Sequence, residues 1–128
     1  MSMDIPVSTN QKIQVLDITA DIAAKKRIKD GAILLYVPHT TAGLVINENE
    51  SNLKRDMERF YGSLAKGSWQ HNSIDDNAEA HLVSTALNSS ITIPVEKGEL
   101  VLGTWQSILF VELDGPRERK VLMKELSA

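Results

Sequence analysis

The alternation of apolar and polar positions marks out most of the chain before any chemistry is considered. The first ten residues, with Pro6 among polar neighbours, predict an edge strand or arm. Residues 12–17, Lys-Ile-Gln-Val-Leu-Asp, alternate as a strand does. Thr19 stands where a helix N-cap belongs, and Asp21 lies near the positive end of the helix dipole. That helix is expected to run through Ile22, Ala23, Ala24 and Ile28, with Lys25, Lys26, Arg27 and Lys29 near its end. Asp30-Gly31 would close it, because glycine takes the left-handed conformation readily. Residues 32–37 are continuously apolar and too short for a helix between Gly31 and Pro38, so they predict a strand covered on both faces.

Pro38-His39-Thr40-Thr41 breaks that run, and Ala42 to Ile46 resumes as a second strand. From Asn47 to Tyr61 the chain is polar, with Leu53, Met57 and Phe60 at helical spacing. Residues 62–75 are irregular. Asp76-Asn77-Ala78-Glu79 resembles a capping box with Asp in place of Ser or Thr, and predicts a helix to about Asn88 that buries Ala78, Leu82 and Ala86. A strand over Ile91–Val95 follows, then a turn at Glu96-Lys97-Gly98 and a long apolar strand through Leu113. Asp114-Gly115-Pro116 predicts another turn, and Arg119 to Lys124 a last strand. The order β-α-ββ-α-α-βββ is that of an α+β fold with largely antiparallel strands, and without repeats or linkers it reads as one domain over residues 1–128.

Composition narrows the function classes. The chain has 128 residues, of which 42% are hydrophobic and 24% charged, an ordinary globular balance. Lys and Arg number 14 against 17 Asp and Glu, so the net charge is 14 − 17 = −3, which argues against nucleic-acid and anionic-membrane partners. With no cysteine, a disulfide scaffold, thiolate-held metal and thiol catalysis are excluded. No signal peptide or spanning segment is evident, and the expected location is cytoplasmic. The chemistry then falls to histidine, carboxylates, hydroxyls or a bound metal.

His39, His71 and His81 are the three histidines. His39 sits at a break between buried strands, His71 in the irregular segment, and His81 one turn into a helix, on a face away from Ala78, Leu82 and Ala86. They are either three solvated imidazoles or a shared site, which would suit Zn²⁺ or a similar ion with one open position. Thr40-Thr41-Ala42-Gly43 either lets a phosphate or carboxylate approach backbone amides or simply forms a tight hairpin. Glu48 could orient a histidine, act as a base, or start a helix in solvent. Asp75 and Asp76 are caps or partners of His71 and His81. Gly103 interrupts a strand, and Gln106 is a polar residue in an apolar run that faces out or meets a partner. Arg117, Arg119 and Lys120 form either a charged edge strand or a phosphate clamp.

Taken together, Val37-Pro-His-Thr-Thr-Ala-Gly43, Ile46-Asn-Glu48, His71, Asp75-Asp-Asn-Ala-Glu-Ala-His81, Leu102-Gly-Thr-Trp-Gln106 and Glu112-Leu-Asp-Gly-Pro-Arg117 resemble the YjbQ family over nearly the whole chain. Two departures stand out: Glu50-Ser51-Asn52 where relatives often carry Asp-Pro, and Asn88-Ser89 where they often carry Gly. The resemblance implies a compact α+β fold with β-sandwich character, a homotrimer with sites near subunit interfaces, and His39, His71 and His81 clustered to hold a divalent metal. It places Glu48, Asp75, Asn77, Gln106 and Arg117 at further motif positions, and implies a thiamine-phosphate synthase activity, which for want of a diphosphate motif here is expected as a side reaction at most.

The functional expectation is a small trimeric metal-dependent enzyme acting on a phosphorylated or otherwise anionic metabolite. His39, His71 and His81 would hold the metal, zinc being one candidate. Thr40, Thr41, Asn77, Gln106 and Arg117 would bind substrate, and Glu48, Asp75 or His81 would move the proton. A metal-free version would use two histidines as general acid and base. The alternative is a non-catalytic trimer that binds a metal or small anion.

Overall fold

The computed structural model describes residues 2–128. Its elements are β1 (Ser2–Ser8), β2 (Gln14–Asp17), α1 (Thr19–Lys25), β3 (Gly31–Tyr36), β4 (Ala42–Asn47), α2 (Ser51–Leu64), α3 (Ala78–Ser84), β5 (Ser90–Glu96), β6 (Glu99–Leu100), β7 (Ser107–Glu112) and β8 (Glu118–Ser127). The strands form a five-stranded sheet in the order β1-β8-β3-β5-β6 and a three-stranded sheet in the order β2-β7-β4. Every pairing is antiparallel.

Alternation puts Ile5, Val7, Ile33, Leu35, Val37, Ile93, Val95, Val121 and Met123 on the inner face of the larger sheet. There they meet Leu44, Ile108 and Phe110 of the smaller sheet and Ile18 and Ile22 beside α1. The opposite face of the smaller sheet presents Val15, Leu109 and Val111 to Met57, Ala80 and Val83 of α2 and α3. The result is a sandwich with helices as a third layer, the α+β class expected. Strand β7 lies in the middle: Ile108, Leu109, Phe110 and Val111 are all fully buried, so this run is the one covered on both faces. Residues 32–37, assigned that position from their continuous hydrophobicity, instead alternate, with Ile33, Leu35 and Val37 buried and Tyr36 46% exposed.

Helix α1 ends earlier than its periodicity suggests because the amides of Arg27 and Ile28 donate to the Glu125 carboxylate, at 2.8 and 2.6 Å, instead of continuing the helix. Asp17, not Thr19, caps its start: the Asp17 carboxylate accepts from the Thr19 amide and hydroxyl. Gly31 does not close this helix but opens β3. Its φ is 135°, and a Cβ there would run into the Leu126 carbonyl of β8. Helix α2 begins at Ser51, where the Glu50 carboxylate accepts from the Asn52 and Leu53 amides, so the departure at this position supplies its own cap. Phe60, expected inside, is 56% exposed, and Tyr61 packs with Leu53 and Met57 in its place.

The capping box before α3 does not form. Asn77 is the N-cap residue with no side-chain bond into the helix, and Asn72 Oδ1 accepts the Ala78 amide at 3.0 Å. The buried stripe is Ala80 and Val83 together with Ala78, while Leu82 and Ala86 are exposed. Both stripes have helical spacing; the Ser84 hydroxyl, donating to the Ala42 carbonyl at 3.1 Å, fixes which one turns to β4. Asn88 likewise needs no left-handed backbone, since it bridges to Leu44. The Lys97-Gly98 turn forms as predicted, with φ of 51° and 77°. The strand expected through Leu113 is split into β6 and β7 by a turn at residues 103–106.

Candidate functional site

Pro38 ends β3, and β8 runs on past it: Tyr36 faces Leu122, which leaves Lys120 beyond the last paired residue of β3. Proline has no N–H to continue the ladder. The His39 ring takes over, with the Lys120 amide donating to Nε2 at 3.1 Å and the Lys120 carbonyl 3.2 Å from the same nitrogen. Burial, then the nearby Arg119 charge, hold the His39 pKa below its ordinary value, so the ring is neutral at pH 7.

Behind this loop lies a buried ion pair. Arg119 donates from Nε to Glu112 Oε1 at 2.9 Å and from Nη2 to Glu112 Oε2 at 2.5 Å. Nη2 also donates to the Thr41 hydroxyl at 2.8 Å, which locks the His39-Thr40-Thr41 corner onto β7 and β8. Glu112 further accepts from the Thr9 hydroxyl and from the Leu113 and Asp114 amides. Burial alone would raise its pKa, but Arg119, the Asp114 amide and Thr9 outweigh that and hold the carboxyl below its usual range.

A second network fixes the other histidines. Asp114 accepts from Asn77 Nδ2 at 2.9 Å, from Lys12 at 3.2 Å and from Arg117 at 3.1 Å. These donors overcome the opposing effect of burial and keep its pKa low. Because a carboxylate only accepts, the Asn77 amide group must face Asp114, and its Oδ1 faces His71 Nε2 at 3.0 Å. His71 Nε2 is therefore the donor in this contact, and Nδ1 is not engaged by Asn77. Its ring meets that of His81 edge to face, with centroids 4.8 Å apart at 76°.

These pieces surround an open cleft of about 410 Å³ lined by His39, Thr40, Thr41, Asp75, Asn77, His81, Arg117 and Arg119, together with Pro38. Of the residues singled out from sequence, eight line this cleft, and His71 adjoins it through Asn77 and His81. Glu48 and Gln106 do not. Asn47 pairs with Ser107 at the far end of the same strands whose other end pairs Ala42 with Glu112, a separation of roughly 17 Å at 3.3 Å per residue. There the Gln106 side chain closes its own turn by accepting from the Gly103 amide at 2.8 Å. Ala42-Gly43 offers no room to a ligand either, since a Cβ on Gly43 would lie 2.7 Å from Leu87 Cβ.

Among the described residues, no group of three or more His, Asp or Glu side chains is close enough to share an ion. His39 Nε2 faces Lys120 and His71 Nε2 faces Asn77, while the His71 and His81 rings meet edge to face. Sequence reasoning missed Thr9, Glu112 and Asp114 as participants. Glu112 carried a signal, a lone acid ending a wholly apolar run, whereas Asp114 looked only like a turn residue.

Residues 3–128 match the family described as UPF0047 protein YjbQ-like. The chain belongs to the YjbQ family. A UPF0047 protein of Archaeoglobus fulgidus is 45% identical over 127 residues, covering 97% of this chain and 100% of that relative. The UPF0047 protein YugU of Bacillus subtilis is 38% identical, with 97% and 98% covered. Among solved structures of this YjbQ fold, a hypothetical protein of Aeropyrum pernix K1 superposes with a TM-score of 0.94 at 44% identity, covering 100% of this chain and 99% of that one. A protein of unknown function from Sulfolobus solfataricus P2 gives 0.93 at 43% identity, with 100% and 97% covered. No helix among the described residues is long and apolar enough to cross a membrane.

Proposed function

We propose that the protein is an enzyme that binds a small phosphorylated or otherwise anionic metabolite in the His39–His81 cleft and moves a proton on it. The observation that carries this reading is the convergence of two imidazoles, a carboxylate, two threonines and two arginines on one cleft. Arg119 is neutralised by Glu112, and the Lys12, Asp114 and Arg117 group carries one uncompensated positive charge, 2 − 1 = +1. Arg117 is half-exposed and is thus the cation that meets an anion, with the Thr40 hydroxyl beside it. Asp75 repels an anion and suits the role of proton acceptor. His39 and His81 both line the cleft and are the two imidazoles placed to give or take the proton. A thiamine-phosphate synthase side activity would place its pyrophosphate leaving group in this same cleft.

A screen of phosphorylated metabolites tests the reading. Turnover that disappears in His81→Ala, with circular dichroism unchanged, supports it. Ligands bound without turnover favour the non-catalytic binding protein.

A divalent metal, zinc being one candidate, is the second reading, favoured by the approach of His71 to His81. With Nε2 of His39 at Lys120 and Nε2 of His71 at Asn77, the Nδ1 atoms of both rings are the ones that would coordinate the ion. About one ion per subunit in protein purified without a His tag would support it; a substoichiometric content unaltered by single His→Ala changes would refute it.

A homotrimer belongs to the same proposal. Its support is that Glu48 and Gln106 stand away from the cleft and that Tyr36, Val101 and Leu126 are exposed apolar residues a neighbouring subunit could cover. Sedimentation equilibrium measures it directly.

A further inference from the structure

The cleft has a neighbour of opposite character. On the other side of His81 lies an open pocket of about 430 Å³ whose walls include Trp69, His71, Ala78, His81 and Leu82. His81 lines both spaces, so they adjoin at this residue. Trp69 is 43% exposed and Leu82 is 39% exposed, although neither is needed by the protein's own core.

The tryptophan is nonetheless held in place. Its Nε1 donates to the Ala65 carbonyl at 2.8 Å, and Gly67 lies close against the ring, where a Cβ would sit 3.2 Å from Cζ2. One side of the indole is thus backed by Gly67, and part of the ring stays open. The His71 and His81 rings, edge to face, complete an aromatic wall. A space of roughly 150 Å³ is enough for benzene, so the pocket admits a ring with room for substituents.

Resting on the reading of the polar cleft as the anion site, we propose that the substrate is a phosphomonoester of a flat, largely apolar ring. Its phosphate lies by Thr40 and Arg117, its ring lies against Trp69 and Leu82, and the bridging oxygen comes beside His81. A small polar metabolite would leave the apolar pocket unfilled, and an apolar molecule without a charge would leave Arg117 unanswered. The proposal also gives Leu82 a role that core packing does not.

The test is calorimetric titration with two probes, methyl phosphate and phenyl phosphate. Phenyl phosphate is expected to bind about tenfold more tightly, from roughly 50–60 Å² of ring surface removed from water. In Leu82→Ala and, separately, Trp69→Ala, that preference should fall below about threefold while methyl phosphate affinity stays within twofold. Equal affinity for the two probes in the wild-type protein overturns the ring subsite and leaves the anion site standing. Failure of both probes to bind overturns the anion site and the proposal with it. A change of oligomeric state in both folded variants, by sedimentation, shows the pocket to be a contact between copies and overturns the proposal as well.

Discussion

Replacing Arg119 with methionine keeps an unbranched side chain of similar reach and removes the charge, which isolates what the buried pair does. Glu112 has no exposed surface, and its partner Arg119 is 7% exposed at the side chain, so water cannot take over the lost contact. Removing one member of a buried pair costs about 3–5 kcal/mol. Glu112 would retain the Thr9 hydroxyl and the Leu113 and Asp114 amides as donors, which places the expected loss near the lower bound, about 3 kcal/mol. With a urea m-value of about 1.5–2 kcal/mol/M, the unfolding midpoint should fall by about 1.5–2 M.

The sign of the pH dependence follows from the same geometry. In the wild-type protein the Glu112 pKa is held below the ordinary glutamate value of 4.5, so its stabilisation is full above that pH and is lost as pH falls through the lowered value. Without Arg119, burial is less opposed and pushes the pKa up. The carboxylate then destabilises at neutral pH and is relieved by protonation as pH falls. The gap between the two proteins should be widest near neutrality and narrow towards about pH 4. Urea melts at several pH values measure it. A loss under about 1 kcal/mol at pH 7, or a gap that does not change with pH, would refute the reasoning. The double variant Glu112→Gln with Arg119→Met should recover part of the loss, because no buried charge is then left alone.

Two further outcomes are expected. Val83→Ala should destabilise by roughly 1.5–3 kcal/mol in urea melts while Leu82→Ala stays within about 0.5 kcal/mol, since only Val83 of this adjacent pair is buried; the reverse order would mean that α3 presents its other stripe to β4. In an NMR titration His39 should show a midpoint below 6.5 and move upward in Arg119→Met, because burial and the Arg119 charge both disfavour the imidazolium. The stability linked to His39 is correspondingly present above pH 6.5 and lost as pH falls through its depressed pKa.

Much of the strand framework was legible because strand signals are short-range. Pro38 breaks a run wherever it folds, and Lys97-Gly98 takes positive φ angles whatever packs around it. The errors are of a different kind. Leu82 and Val83 fit a helical stripe equally well, and the choice lay in a hydrogen bond from Ser84 to Ala42, 42 residues away in sequence. Helix α1 stopped early because Glu125, 97 residues beyond Ile28, takes the amides that would have continued it. The histidines were visible as candidates, but their tautomers and partners were not: His71 is oriented by Asn77, and Asn77 by Asp114 from another turn.

By itself the sequence determined the class of fold, the resemblance that placed the chain in its family, and the short set of side chains able to do chemistry in a chain without cysteine. Backbone periodicity and residue chemistry are local properties, and they survive any rearrangement of the elements. Only the tertiary structure decided which of those side chains share a cleft. Strand order brings Thr9 to Glu112 across 103 residues and sets Arg119 against Thr41, while the same strands carry Glu48 and Gln106 to their opposite ends. Which carboxylate meets which cation depends on how sheets close over a common core, and that closure is a property of the whole chain.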